Sequence, residues 1–204
     1  MNITMTSTEA VYKPLKPIEI PLRFPDLFVH SKNKTRTEWT IEKLQLTAHQ
    51  YILEVGFKGG ETLQKAAKKL QTGFLAGVDE SVRNYQLAFK RNRKFIEDQL
   101  VELHLGKITD LPYPHHYFHT IFGNNIYNSW EKPQDQLIQL ARLLRIRGKL
   151  VMVFQPENKS TETEIWDAAE QIQLEFAEAG LSDISVAYRE MYPVSCIAAT
   201  GYRY

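Results

Sequence analysis

Short apolar runs of strand length recur along this chain, separated by stretches whose apolar residues fall at helical spacing. YILEV (51–55), FLAGVD (74–79), LVELHL (100–105), HTIFGNN (119–125) and KLVMVFQ (149–155) read as buried strands. TEWTIEKLQL places Trp39, Ile41, Leu44 and Leu46 around a short amphipathic helix. From Glu61 to Gln71, residues Leu63, Ala66, Ala67 and Leu70 form the i, i+3, i+4, i+7 stripe of a helix on a sheet, stopped by Gly73. A longer helix from Ser81 to Asp98 is expected to turn Val82, Tyr85, Ala88, Phe89, Phe95 and Ile96 inward. Leu137, Leu140, Ala141 and Leu144 mark a further helix, and Ile165, Ala168, Ala169, Ile172 and Phe176 another that ends at Gly180. Ser182–Tyr188 and Val194–Gly201 read as two closing strands joined through Pro193. Repeated strand–helix units imply an α/β fold with a mostly parallel sheet, right-handed crossovers and helices on both faces. The closing hairpin adds one antiparallel strand.

Residues 1–34 break this pattern. Pro14, Pro17, Pro21 and Pro25 interleave with Ile18, Ile20, Leu22 and Phe24, so the segment reads as an extended arm rather than a helix. Its apolar residues imply packing against the body (35–204) or against a second subunit in a homodimer. A mobile lid is the alternative.

Composition narrows the setting. Lys+Arg 25 against Asp+Glu 24 leaves a net charge of +1, which gives no global field for nucleic acid or anionic membrane. Arg83, Lys90, Arg91, Arg93 and Lys94 do cluster on one helix, and in a near-neutral protein such a cluster reads as a solvated face. The single cysteine, Cys196, forbids an intrachain disulfide and reads as an inert core thiol. MNITMTSTEA has no apolar core of leader type, and no run approaches the ~18 apolar residues of a membrane span. A cytoplasmic protein without membrane contact is expected.

The chemistry concentrates where the first strand breaks. YILEVGFKGG carries an acid, Glu54, into a turn with Gly56, Gly59 and Gly60, which exposes bare backbone to a ligand. Asp79 closes the second strand, placed to accept both hydroxyls of an adenosine ribose. Dinucleotide and adenosyl-sulfonium proteins share that geometry. The nicotinamide pattern G-x-G-x-x-G fails at Lys58 and Glu61, and no P-loop is present.

Taken together, LEVGFKGGETL, LAGVDES, VELHLGKITDLPYP, YFHTIFGNNIY and LARLLRIRGKLVMVF resemble class I S-adenosylmethionine-dependent methyltransferases from about Glu38 onward. The resemblance implies a Rossmann-like seven-stranded sheet and S-adenosylmethionine as methyl donor. It implies that Gly56 and Gly60 approach the donor's methionine end and that Glu54 anchors the loop and the ammonium side. Asp79 would hold the ribose, with Glu80 and Ser81 alongside, and Ile108 would lie against adenine. Asn124 and Asn125 would pass the methionine portion, and Tyr127 and Trp130 would line the acceptor pocket or pack on the next helix. The chain departs from the family pattern at Lys58 for a glycine, at Lys107 and His119 for acids, and at RIRGK (145–149) for a Pro-Gly-Gly turn.

Methyl transfer from a sulfonium needs alignment above all, so no universal catalytic residue carries over. His115, His116 and His119 lack the spacing of a zinc site and read as exposed loop histidines, with a base for the acceptor as the lesser reading. The leading expectation is a methyltransferase acting on a small-molecule metabolite. A binding protein that keeps the fold without turnover is the alternative, followed by an RNA or DNA methyltransferase using Lys90–Lys94.

Overall fold

The computed structural model describes residues 35–155, 161–191 and 195–204. The proline-rich arm (1–34) and the Pro193 connection lie outside them. In chain order the elements are α1 (Arg36–Leu44), β1 (Tyr51–Val55), α2 (Glu61–Ala67), β2 (Phe74–Asp79), α3 (Val82–Glu97), β3 (Val101–Leu105) and β4 (Phe118–Asn124). They continue with α4 (Pro133–Leu143), β5 (Leu144–Phe154), α5 (Glu162–Glu178), β6 (Ser182–Arg189) and β7 (Cys196–Tyr202). Short 3-10 turns follow β3 at Ile108–Asp110 and β4 at Tyr127–Ser129.

The strands form one seven-stranded sheet in the order β3-β2-β1-β4-β5-β7-β6. β1 pairs in parallel with β2 and β4, and β4 with β5, while β7 runs antiparallel between β5 and β6. The Rossmann-like arrangement expected from the sequence is present. Strand order reverses between β1 and β4, and a crevice opens at the carboxyl ends of strands flanking such a reversal.

Alternation along β1 divides the core. Leu53 and Val55 join the cluster under α4 and α5, including Leu137, Leu140, Ile172 and Phe176. Ile52 points the other way, into the cluster of Trp39, Leu63, Ala66, Ala88 and Val151. Glu54 shares the face of Ile52 by the two-residue period of a strand.

Three local expectations change. α2 stops at Ala67, short of Gln71, and Leu70 is buried in the turn that follows. α3 is rotated from its expected face: Val82 and Phe89 are 56% and 43% exposed, whereas Ala88 and Asn92 are fully buried. A polar anchor, Asn92, occupies the inner line, so the apolar stripe misreads it. The RIRGK segment lies within β5, where the register against β4 shifts between Phe118 and Thr120. There the Arg147 amide donates to the Arg203 carbonyl (2.7 Å), and the Arg203 amide donates back to Gly148 (2.9 Å). The Arg203 guanidinium then caps α4, donating to the carbonyls of Ala141, Arg142 and Leu144 at 2.8, 3.0 and 3.0 Å. Arginine thus fastens the bend that the family pattern builds from Pro-Gly-Gly.

Cys196 is buried in β7, where burial pushes its thiol up to about 12. Among the described residues no helix is long and apolar enough to cross a membrane.

Candidate methyl-donor site

The loop after β1 is held from three sides. The Gly56 amide donates to the Val78 carbonyl (2.8 Å), and the Gly60 amide closes a turn on Phe57 (2.8 Å). Asn92, from α3, donates its side-chain amide to the Gly60 carbonyl at 3.0 Å. Two positions require glycine. Gly56 has φ +69°, and a Cβ there would lie 2.7 Å from the Ile126 side chain. Gly60 has φ +72°, and its Cβ would meet Asn92 Nδ2 at 2.6 Å and Ala88 Cβ at 2.8 Å.

Asp79 organises the base of this loop. Its carboxylate accepts from the Lys58 and Ser81 amides, both at 2.9 Å, and from Asn84 Nδ2 on both oxygens (3.0 and 3.1 Å). Ser81 caps α3 by accepting from the Asn84 amide (3.3 Å), and Glu80 beside it is exposed. Asn84 therefore covers the carboxylate edge that the sequence assigned to a ribose.

Glu54 is 1% exposed, and its Oε2 is buried without a hydrogen-bond partner. Burial drives its carboxyl well above the usual carboxylate range, with the Asp79 charge adding to the rise and Thr62 and the Leu63 amide easing it. A buried oxygen left unmatched at the mouth of a crevice is a place for a ligand's donor group.

Lys58 adopts φ +48°, a left-handed conformation that glycine takes without cost. Its Nζ reaches across to the Asn125 carbonyl (3.1 Å), and burial followed by the Arg36 charge lowers its pKa. Arg36, at the start of α1, donates Nε to Asn124 Oδ1 (2.9 Å) and Nη1 to Gln155 Oε1. Asn124 Nδ2 in turn faces Thr62 Oγ1 at 3.4 Å, and Asn125 Oδ1 accepts from the Gln155 amide at 2.9 Å. Arg36, Glu54, Gly56, Lys58, Thr62 and Asn124 all line a cavity of about 160 Å³, with Arg91 and Glu61 also on its wall.

The sequence-derived residues are thus partly gathered. Glu54, Gly56 and Asn124 line the cavity, Gly60 and Asp79 shape its loop, and Asn125 receives Lys58. Ile108 is buried in the turn after β3. Tyr127 is buried against Phe154 (ring centroids 5.5 Å apart) and Trp130 (6.2 Å), with its hydroxyl donating to Glu175 at 2.6 Å. Tyr127 and Trp130 lie outside the cavity lining. His115 and His116 are exposed, but His119 is a half-buried β4 residue whose Nδ1 accepts from the Tyr51 amide (3.1 Å). Sequence reasoning missed Arg36, Asn84 and Asn92. Arg36 is one polar residue of an amphipathic helix, and only the tertiary fold brings it to the strand ends.

Comparison with known proteins agrees with this geometry. The methyltransferase-domain family model matches residues 53–152. The uncharacterized methyltransferase YdaC of Bacillus subtilis (strain 168) is 29% identical over 172 residues, spanning 84% of this chain and 93% of its own. A SAM-dependent methyltransferase from Aquifex aeolicus superposes with a TM-score of 0.68 at 17% identity, covering 82% of this chain and 89% of that one. Haemonchus contortus phosphoethanolamine N-methyltransferase 2, in complex with S-adenosyl-L-methionine, gives 0.65 at 13% identity, covering 82% and 52%. The two structures show the fold. Family model, relative and fold together support a class I S-adenosylmethionine-dependent methyltransferase. The residues present suit that donor, since Glu54, with its unmatched buried oxygen, and Gly56, which has no side chain, line the same cavity.

Proposed function

We propose that this methyltransferase acts on a small-molecule acceptor, with the donor held between the loop after β1 and the end of β4. One observation carries the reading: the cavity at the strand reversal is small, about 160 Å³, and is lined by Arg36, Glu54 and Asn124. The basic residues of α3 form a solvated face. Arg83, Lys90, Arg91, Arg93 and Lys94 are all exposed, and Arg93 is neutralised locally by Glu97 at 2.7 Å.

When bound, S-adenosylmethionine supplies an electrophilic methyl group on its sulfonium. Glu54 would receive the donor's ammonium, giving its unmatched oxygen a partner. Asp79 would hold the ribose hydroxyls once Asn84 turns its amide to solvent, and Ile108 would supply an apolar contact for adenine. Gly56 and Gly60 keep the backbone clear, so alignment and exclusion of water do most of the work.

Calorimetric titration with S-adenosylmethionine and S-adenosylhomocysteine tests the donor assignment. Micromolar binding abolished by Asp79→Ala is expected. No heat at millimolar ligand overturns it. Methylation of small-molecule extracts but not of RNA or DNA by the same preparation tests the acceptor class.

A further inference from the structure

We propose that Arg36 and Lys58, with Arg91 at the rim, form an anion subsite that recognises a carboxylate or phosphate group of the methyl acceptor. This rests on the donor-dependent reading above and names the substrate class it leaves open.

Both cations touch neutral oxygens. Arg36 holds amide oxygens of Asn124 and Gln155, and Lys58 holds a peptide carbonyl of Asn125. Neutral partners fix the direction of a cation without cancelling its charge. Arginine carries five N–H donors in a planar fork suited to carboxylate and phosphate, and here two are engaged. Asn124 is itself held by Thr62, which orients the oxygen that aims the fork. Arg36 is therefore preorganised at the cavity wall.

The acidic residues on the same wall, Glu54 and Glu61, offset the three cations only in part. Glu61 pairs with Lys65 at 3.2 Å. Glu54 is buried, and burial pushes its carboxyl up. Arg91 adds a third cation, with Nη1 3.4 Å from where a Cβ on Gly59 would stand. The wall is thus net positive, yet the donor it must accept is itself a net cation, with sulfonium and ammonium against one carboxylate. A negatively charged acceptor resolves that conflict, because its anion would screen the wall from the donor.

The donor's own carboxylate is the competing source of an anion, and the experiment separates the two. The full chain is titrated with S-adenosylmethionine and with S-adenosylhomocysteine, at constant ionic strength, in chloride and then in malonate or inorganic phosphate. Malonate or phosphate is expected to tighten S-adenosylmethionine binding several-fold, and to affect the uncharged-sulfur product less. Arg36→Gln and Lys58→Gln should each remove the effect, with circular dichroism confirming that both variants fold. Competitive weakening of donor binding by the anions, or no effect in the unaltered protein, overturns the proposal. If neither adenosyl compound binds, the donor reading fails. Direct malonate heat that disappears in Arg36→Gln would still support the subsite, and its absence would overturn it.

Discussion

Lys58 Nζ donates to the Asn125 carbonyl at 3.1 Å, tying the loop after β1 to the end of β4 across the crevice at the strand ends. The resulting cavity of about 160 Å³ is smaller than the ~300–1,000 Å³ of ordinary small-molecule sites. On the proposed donor reading, Lys58 withdraws as the donor enters.

Lys58→Gly should raise the affinity for S-adenosylmethionine about tenfold, ~1.4 kcal/mol, by widening the cavity and removing a cation. Its stability should change little, because relief of left-handed strain (about 1–2 kcal/mol) is opposed by the extra unfolded-state entropy of glycine (about 0.5–1 kcal/mol). Calorimetry and urea unfolding read the two effects separately. Weaker donor binding would show that Lys58 holds the donor instead of obstructing it.

Glu54 makes stability depend on pH with a definite sign. Its folded pKa is raised above the unfolded value, so between the two the folded state binds the additional proton. Stability contributed by that protonation is present at low pH and is lost as pH rises through the folded value. Urea midpoints measured between about pH 5 and 8 should fall for the unaltered protein more steeply than for Glu54→Gln. Identical slopes would mean that Glu54 is already ionised. Binding of S-adenosylhomocysteine should also release a proton, seen as heats that vary with the ionisation enthalpy of the buffer.

Asp79→Ala strips acceptors from the Lys58 and Ser81 amides and from Asn84. These donors are only part-buried, so solvent takes up part of the penalty and the net cost is about 1–3 kcal/mol. Chemical denaturation should show a loss in that range, together with loss of adenosyl-ligand binding. A variant of unchanged stability would mean that water replaces the carboxylate.

The glycines of the loop are not equivalent. A Cβ at Gly60 falls 2.6 Å from Asn92 Nδ2 and 2.9 Å from the Ala88 backbone, so Gly60→Ala should destabilise by about 1–3 kcal/mol. At Gly59 the nearest atom is Arg91 Nη1 at 3.4 Å, the end of a flexible side chain. Gly59→Ala should therefore be close to neutral in thermal unfolding, and equal losses at both positions would contradict this geometry.

The fold was legible because each strand–helix unit repeats a change of period that only tertiary packing on both sheet faces satisfies. The gathering of the loop after β1 with Asp79 and Asn124 was legible from their places at the ends of β1, β2 and β4. What stayed hidden are contacts made by polar residues far apart in sequence. Asn92 replaces an apolar residue on the inner line of α3 because its amide holds Gly60, and this displaced the expected face toward Val82 and Phe89. Arg36 lies 88 residues from Asn124 in sequence, and no local pattern announces their hydrogen bond. Asn84 sits one helical turn beyond the Ser81 cap, where an asparagine looks like an ordinary surface residue until Asp79 is seen beneath it.

The placement of β7 between β5 and β6 constrains how the chain matures during synthesis. β6 leaves the ribosome before β7, yet has no strand beside it until β7 arrives. Through that interval β5 presents an open hydrogen-bonding edge of buried Val151, Met152 and Val153 to the cell. Nascent chains paused after β6 would be the species most prone to capture by chaperones or by one another.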